Sequence, residues 1–155
     1  MKDAEIGSGS LFPEQPQEAA SRIDAAICWL LLGHSGGDLD AALDHDEREI
    51  LRLVRYRRGL AQALAIREIE AKTGLSPRQI KQAVRTLRLN FKLPIGSTKD
   101  STGGGYYVML TDDDQRAWAK TVLDQIRAEA AVVKAAAGRH RAMEMLGQLT
   151  MEMQQ

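Results

Sequence analysis

The stretch IREIEAKTGLSPRQIKQAVRTLRLN, residues 66–90, decides how this chain folds. Its first part predicts a short helix that ends at Gly74. After the turn T-G-L-S, Ser76 is a good N-cap, and Pro77 falls at the first helical position, where its missing N–H costs nothing. Two short helices separated by such a turn are typical of a helix-turn-helix.

The second of these helices has an apolar side and a separate basic side. At about 100° per residue the apolar positions form one stripe, which consists of Ile80, Ala83, Val84 and Leu87. The basic positions form another stripe, which consists of Arg78, Lys81, Arg85 and Arg88. A solvated helix face usually mixes both signs, whereas no acidic residue occurs between positions 78 and 99. The pattern therefore favours contact between this helix and DNA.

The periodicity changes after this helix. KLPIGS at 92–97 and GYYVML at 105–110 are β-prone, and the segment between them is rich in Gly, Ser and Asp, which predicts a β-hairpin. The order of residues does not favour a phosphate-binding loop, because Lys99 precedes the glycines instead of following them. We predict a slack hairpin tip in which one of Tyr106 and Tyr107 packs on the core and the other is exposed.

A helix-turn-helix followed directly by a hairpin is the pattern of a winged helix. Residues 66–109 resemble the winged helix-turn-helix domains of the biotin-repressor type, which have a G-L-S turn, a recognition helix, then P-I and a G-G-Y hairpin. They are still more similar to small winged-helix proteins of phages and prophages, which share L-S-x-R, V-R-x-L-R and P-I-G-S…G-G-Y-Y. We expect no counterpart of the biotin repressor's ligase domain among the residues after the hairpin. The resemblance implies duplex DNA binding, with 76–90 in the major groove and 97–104 on the backbone or in the minor groove.

The predicted DNA-binding residues follow from the basic stripe and the hairpin. Arg and Lys contacts to phosphate would supply most of the affinity, and glutamines beside the stripe could bond base edges, adenine above all. The complete predicted set is Arg78, Gln79, Lys81, Gln82, Arg85, Arg88, Lys92 and Lys99.

The rest of the chain predicts helices on both sides of this domain. Residues 1–20 contain Gly, Ser, Pro and acidic residues and are predicted to be disordered. Residues 21–46 form a helical extension that starts at Ser21, 47–111 form the winged helix-turn-helix domain with an amphipathic helix at 47–59, and 112–155 form C-terminal helices. The expected fold class is mostly α with a small β-hairpin: a winged helix-turn-helix core with N- and C-terminal helical extensions.

The net charge is zero, but the charges are unevenly distributed. Residues 48–110 contain 13 Lys or Arg and 4 Asp or Glu, whereas residues 1–47 contain 2 and 10. A basic centre suggests a polyanionic partner. The acidic N-terminal part leaves an alternative open: a protein–protein interaction module on the winged-helix scaffold. Salt-dependent binding to duplex DNA separates the two hypotheses.

The C-terminal helices raise a separate question about partners. Leu123, Ile126, Ala130 and Val133 have coiled-coil spacing, and the chain then becomes rich in methionine, which adapts to partner surfaces. The sequence leaves two alternatives for the Met-rich end: it packs on its own domain, or it contacts a second copy of the chain or another protein.

Other functional classes have little support in the sequence. No apolar run is long enough for a membrane span, and the lone Cys28 favours a reducing cytoplasm. The three histidines are scattered without metal-ligand spacing, and no catalytic arrangement stands out. We expect a cytoplasmic protein that is not an enzyme and has no metal or cofactor.

Overall fold

The computed structural model describes residues 16–37, 40–99 and 104–154, which belong to two compact units. The first unit ends at Asp112 and the second begins at Asp113. The described elements are α1 (Pro16–Leu31), α2 (His45–Val54), a 3₁₀ turn (Leu60–Gln62), β1 (Leu64–Ala65), α3 (Ile66–Thr73), α4 (Pro77–Leu89), β2 (Ile95–Thr98), β3 (Gly105–Val108), α5 (Asp112–Ala137) and α6 (Arg139–Glu152). The predicted composition, mostly helix with a small β-hairpin, is confirmed.

Helix α1 starts earlier than the sequence pattern indicated. Ser21 is not its N-cap but lies inside it, and the Ser21 hydroxyl donates to the carbonyl of Gln17 at 2.9 Å. Residues 16–20, predicted to be disordered, are therefore helical, because Pro16 is tolerated in a first turn and Ala19 and Ala20 are good helix formers. The remainder of that predicted segment, 1–15, lies outside the described residues.

Helix α2 begins at a reciprocal cap. The Glu47 N–H donates to Oδ1 of Asp44 at 2.8 Å, and the Asp44 N–H donates to Oε2 of Glu47 at 2.9 Å. Glu47 is buried, and this burial raises the pKa of its carboxyl, while the bond from the Asp44 N–H acts in the opposite direction.

The helix predicted over 47–59 is too long, since α2 ends at Val54. The following backbone runs beside the sheet instead. The Val108 N–H donates to the carbonyl of Arg57 at 2.7 Å, and the Gly59 N–H donates to the carbonyl of Val108 at 3.0 Å. These bonds to a strand take the place of the helical bonds that the apolar spacing predicted.

The core of the first unit lies between helices α1 to α4 and one face of the sheet. Helix α2 packs on α1, α3 and α4, and α3 packs on α4. The fully buried aliphatic side chains at this centre are Ile50, Leu51, Val54, Leu64, Ile69, Ile80, Val84, Leu87, Ile95 and Val108. All four apolar positions predicted on α4 are buried, so the apolar stripe of that helix is confirmed.

The sheet is antiparallel with strand order β1-β3-β2. The predicted hairpin is its β2–β3 half, in which Ile95 pairs with Val108 and Thr98 pairs with Gly105. Strand β1 was not predicted, because two residues are too few to give a periodic signal. It pairs Leu64 with Tyr106 and so joins the hairpin to the start of α3.

The prediction that one of the two tyrosines is exposed is wrong. Tyr106 and Tyr107 are 6% and 1% exposed. The Tyr107 ring lies across Gly96, its partner on β2, where an added Cβ would approach the ring Cζ to 2.5 Å. Because Gly96 has no side chain, the Tyr107 ring can lie against its backbone and be buried there.

The glycines before the tyrosines are also more constrained than predicted. Gly104 is buried at φ +86°, an added Cβ there would lie 2.5 Å from the Thr98 carbonyl oxygen, and its own carbonyl accepts the Ile66 N–H at 3.1 Å. At Gly105 an added Cβ would lie 2.6 Å from the carbonyl oxygen of Leu64. Both positions need glycine because another stretch of backbone passes close to them, not because the tip must be flexible. Of the predicted tip, 97–104, residues 100–103 lie outside the described residues.

The second unit consists of α5 and α6, separated at Gly138 as predicted. Gly138 has φ +86°, a left-handed conformation that glycine adopts without penalty. Val122 and Ile126 of α5 line the same groove as Met145 and Leu149 of α6, so α6 turns back beside α5.

Candidate nucleic-acid interface

The start of α4 is fixed by its own side chains. Ser76 is the N-cap and Pro77 the first helical residue, as the sequence predicted. Oε1 of Gln79 accepts from the Ser76 N–H at 3.1 Å and from the Ser76 hydroxyl at 2.7 Å. The amide oxygen of Gln79 is thus used in a capping box, whereas bonding to adenine needs both the oxygen and the nitrogen of a glutamine amide.

Three of the predicted cations form an exposed surface on α4, which we call the α4 basic face: Arg78, Lys81 and Arg85. Gln82 is exposed on the same helix, and no bond to its side-chain amide is present in the described residues. The α4 basic face lies away from Ile80 and Val84, which point into the core.

The α4 basic face differs from four other cations of the first unit in having no carboxylate partner among the described residues. Within the described ranges, none of its three cations pairs with a carboxylate. Four other cations do: Arg52 with Glu49 at 2.7 Å, Arg57 with Glu68 at 3.9 Å, Arg58 with Asp24 at 2.5 Å and Lys72 with Glu68 at 3.3 Å. Arg48, Arg55 and Arg67 also pair with no carboxylate in the described residues, but they lie on or at the end of other helices. The α4 basic face therefore places three unpaired cations on one exposed side of one helix.

Arg88, the fourth cation of the predicted stripe, lies apart from this face. Its Nε donates to the carbonyl of Ile95 at 2.6 Å, and its guanidinium carbon is 5.9 Å from the centre of the Tyr106 ring. Burial lowers the pKa of Arg88, an effect that Tyr106 and Tyr107 oppose, and burial likewise raises the pKa of Tyr106. Arginine stays charged despite such a shift, so Arg88 holds the end of α4 against β2 as a cation.

The two predicted lysines outside α4 occupy the turn after it and the end of β2. Lys92 is exposed between buried Phe91 and Leu93 and has φ +54°. A left-handed conformation is unfavourable for a lysine, and Lys92 adopts it between two buried neighbours. Lys99 is exposed directly after Thr98.

Arg67 is a further candidate that the helical-wheel argument missed. It is exposed in the first turn of α3 and pairs with no carboxylate in the described part of the chain. The neighbouring Ile66 N–H bonds to the Gly104 carbonyl, so Arg67 lies beside the loop end of the hairpin. Its sequence signal is weak, because Glu68 and Glu70 follow it and mask the charge.

The described residues contain no group of three His, Cys, Asp or Glu side chains arranged for a metal ion. None of their helices is both long enough and apolar enough to cross a bilayer. No protein-family model, curated protein or solved structure matches the chain.

Proposed function

We propose that this chain is a winged-helix protein that binds duplex DNA, with α4 in the major groove and the β2–β3 hairpin as the wing. The order of α2, β1, α3, α4, β2 and β3 supports the winged helix, because β1 pairs with β3 and closes the small sheet beside the helix-turn-helix. The role that fits the sequence resemblance is a cytoplasmic, non-enzymatic phage or prophage regulator of transcription, or a replication accessory.

The observation that carries the proposal is the unpaired charge of the α4 basic face. Arg78, Lys81 and Arg85 project from one side of a rigid, capped helix whose other side is buried. Neutralising DNA phosphates with such cations releases counterions, which gives both affinity and a steep dependence on salt. The exposed, unbonded amide of Gln82 is better suited to read a base than that of Gln79, whose oxygen caps the helix.

Fluorescence anisotropy with labelled duplex DNA between about 50 and 200 mM salt tests the proposal. We expect log Kd to vary linearly with log salt. The triple variant R78A/K81A/R85A should bind more weakly, with a slope reduced by up to about 3, because each phosphate contact contributes about 0.9.

The matched control is R52A/K72A, which removes two exposed cations that are already neutralised by carboxylates. It should bind as the wild type does. Equal losses per cation removed in the two variants would show that only overall charge matters and would contradict the assignment to α4. Absence of salt-dependent binding in the folded wild type would favour the protein-interaction module instead.

A further inference from the structure

The second unit exposes most of its apolar side chains. Among the described residues from Asp113 onward, α5 has no buried residue and α6 has one, Ala142. The large apolar side chains that are about half exposed or more are Leu123, Ile126, Val132, Met143, Met145, Leu149, Met151 and Met153. Helices in proteins owe most of their stability to tertiary packing of an apolar face, so this surface needs a partner.

A groove between the two helices contains three of these exposed side chains, Ile126, Met145 and Leu149. We call it the α5–α6 groove; it has a volume of about 420 Å³, and its apolar walls are Val122, Ile126, Ala130 and Val133 of α5 and Ala142, Met145, Leu146 and Leu149 of α6. Both walls repeat at alternating steps of three and four residues, as at 126, 130 and 133 and at 142, 146 and 149. Such spacing is the pattern of helices that associate along a continuous seam.

We propose that the groove is occupied by the α5–α6 groove of a second copy, so that two chains form a four-helix bundle about a twofold axis. Two helices that present heptad stripes toward one shared groove are half of such a bundle, whose interior is built from a- and d-type positions of four helices. A twofold contact places the same patch on both partners, and the alternating apolar residues on the two walls make this patch complementary to itself. The proposal does not depend on DNA binding.

The charge of the unit favours a second copy. Residues 113–155 contain 6 Lys or Arg and 6 Asp or Glu, so two copies approach without net repulsion. The polar side chains at the groove are Gln125 and Glu129, so a twofold contact brings only one acidic residue from each copy to the interface.

The size of the surface also fits a dimer. At 1.5 Å per residue and a width of about 10 Å, the 26 residues of α5 and the 14 of α6 offer a face of roughly 600 Å² in projection. A standard interface takes about 800 Å² of accessible surface from each partner, and a corrugated helical face has more accessible area than its projection.

The N-terminal segment of the same chain fits the groove less well. Residues 1–15 contain Gly7, Gly9 and Pro13 and only scattered apolar residues, without the spacing that would continue a helical seam. A second copy, by contrast, supplies four apolar groove residues on each helix, with the same spacing as those that they would contact.

The oligomeric state of the full chain across about 1–200 μM, measured by sedimentation equilibrium at moderate salt, tests the proposal. We expect a monomer–dimer equilibrium that Ile126→Glu and Leu149→Glu each weaken by at least tenfold, because each places a charge in the apolar seam. The matched control is Ala128→Glu, which adds the same charge two residues away on an exposed position outside the groove. It should dimerise as the wild type does, with circular dichroism showing that all variants remain helical.

Three results would overturn the proposal. One is a wild type that stays monomeric throughout the range. Another is a dimer that persists in both groove variants, which would place the contact on another surface. The third is a monomer whose thermal midpoint falls sharply in Ile126→Glu but not in Ala128→Glu, which would mean that the chain fills its own groove. If the groove variants lose helicity, hydrogen exchange of the wild type decides: the α5–α6 amides should become more protected as concentration rises, and concentration-independent exchange would contradict the bundle.

Discussion

At the scale of single residues, Gly96 shows how one missing side chain positions an aromatic ring. Tyr107 is 1% exposed and its ring crosses the α-carbon of Gly96 at the cross-strand position. The ring belongs to a strand that pairs on both sides, with β1 and with β2, and therefore has little room to shift.

We predict that Gly96→Ala destabilises the protein by about 1–3 kcal/mol, the range for overpacking a filled site. Gly147 is the matched control, since it lies in α6 with open space around an added Cβ. Gly147→Ala should stabilise by about 0.5–1 kcal/mol, the gain in helix propensity. Chemical denaturation at one fixed protein concentration measures both, and equal midpoints for Gly96→Ala and wild type would show that the ring moves freely.

Glu47 is a buried titratable residue whose effect on the pH dependence of stability has a definite sign. Its folded-state pKa is raised by burial above the ordinary value of 4.5. Its contribution to stability is therefore complete below that value and is lost as the pH rises through the raised pKa. We predict that Glu47→Gln, which keeps an oxygen for the Asp44 N–H, gains stability relative to wild type as the pH rises from 4.5 through the raised pKa of Glu47. Thermal midpoints of the two proteins across this range give the difference, and a difference that does not grow with pH contradicts the prediction.

At the scale of elements, the two glutamines of α4 have different roles: one caps the helix, and the other is exposed and can contact a ligand. Gln79 closes the capping box with Ser76, while Gln82 is exposed three residues further on. We predict that Gln79→Ala lowers the free energy of unfolding by about 0.5–1 kcal/mol and leaves base discrimination unchanged. Gln82→Ala should leave stability unchanged and, if α4 enters the major groove, reduce discrimination at one base pair by about 1–3 kcal/mol. Urea denaturation and competition with single-base variants of a bound duplex measure the two effects, and the reverse outcome would show that the cap opens on DNA.

The elements with local signals are also those that the sequence predicts well. Gly74, Ser76 and Pro77 mark the turn and the start of α4 residue by residue, and Gly138 marks the break between α5 and α6. Strand β1 escapes prediction because its two residues are defined by pairing with Tyr106, which is more than 40 positions away.

In the candidate site, too, the positions set by local sequence are predicted correctly, and the position set by a distant part of the chain is not. The exposure of Arg78, Lys81 and Arg85 follows from the helical wheel alone. The position of Arg88 does not, because its bond to the Ile95 carbonyl depends on where the hairpin folds back. A helical wheel gives the direction in which a side chain points from its helix. It contains no information about contacts with a strand from another part of the chain.

At the scale of the whole molecule, the clustered core belongs entirely to the first unit. Its buried members range from Ile27 to Val108, before α5 begins. We predict that a chain truncated after Asp112 still unfolds cooperatively in urea. It should remain monomeric and bind DNA with about half the salt slope of the full chain, since a dimer would offer two α4 basic faces and a monomer one. A truncated chain without a cooperative transition would show that the first unit needs the C-terminal helices to fold.

The shortness of the sheet affects how this protein would misassemble. Its edge strands in the described residues are β1, with two residues, and β2, with four. Stacking of strands into amyloid takes segments of about six or seven residues, and very short edges are among the devices by which proteins avoid pairing with foreign strands. When the apolar surface of α5 and α6 is left uncovered, we therefore expect precipitates that keep their helical circular dichroism and do not bind thioflavin, rather than fibrils.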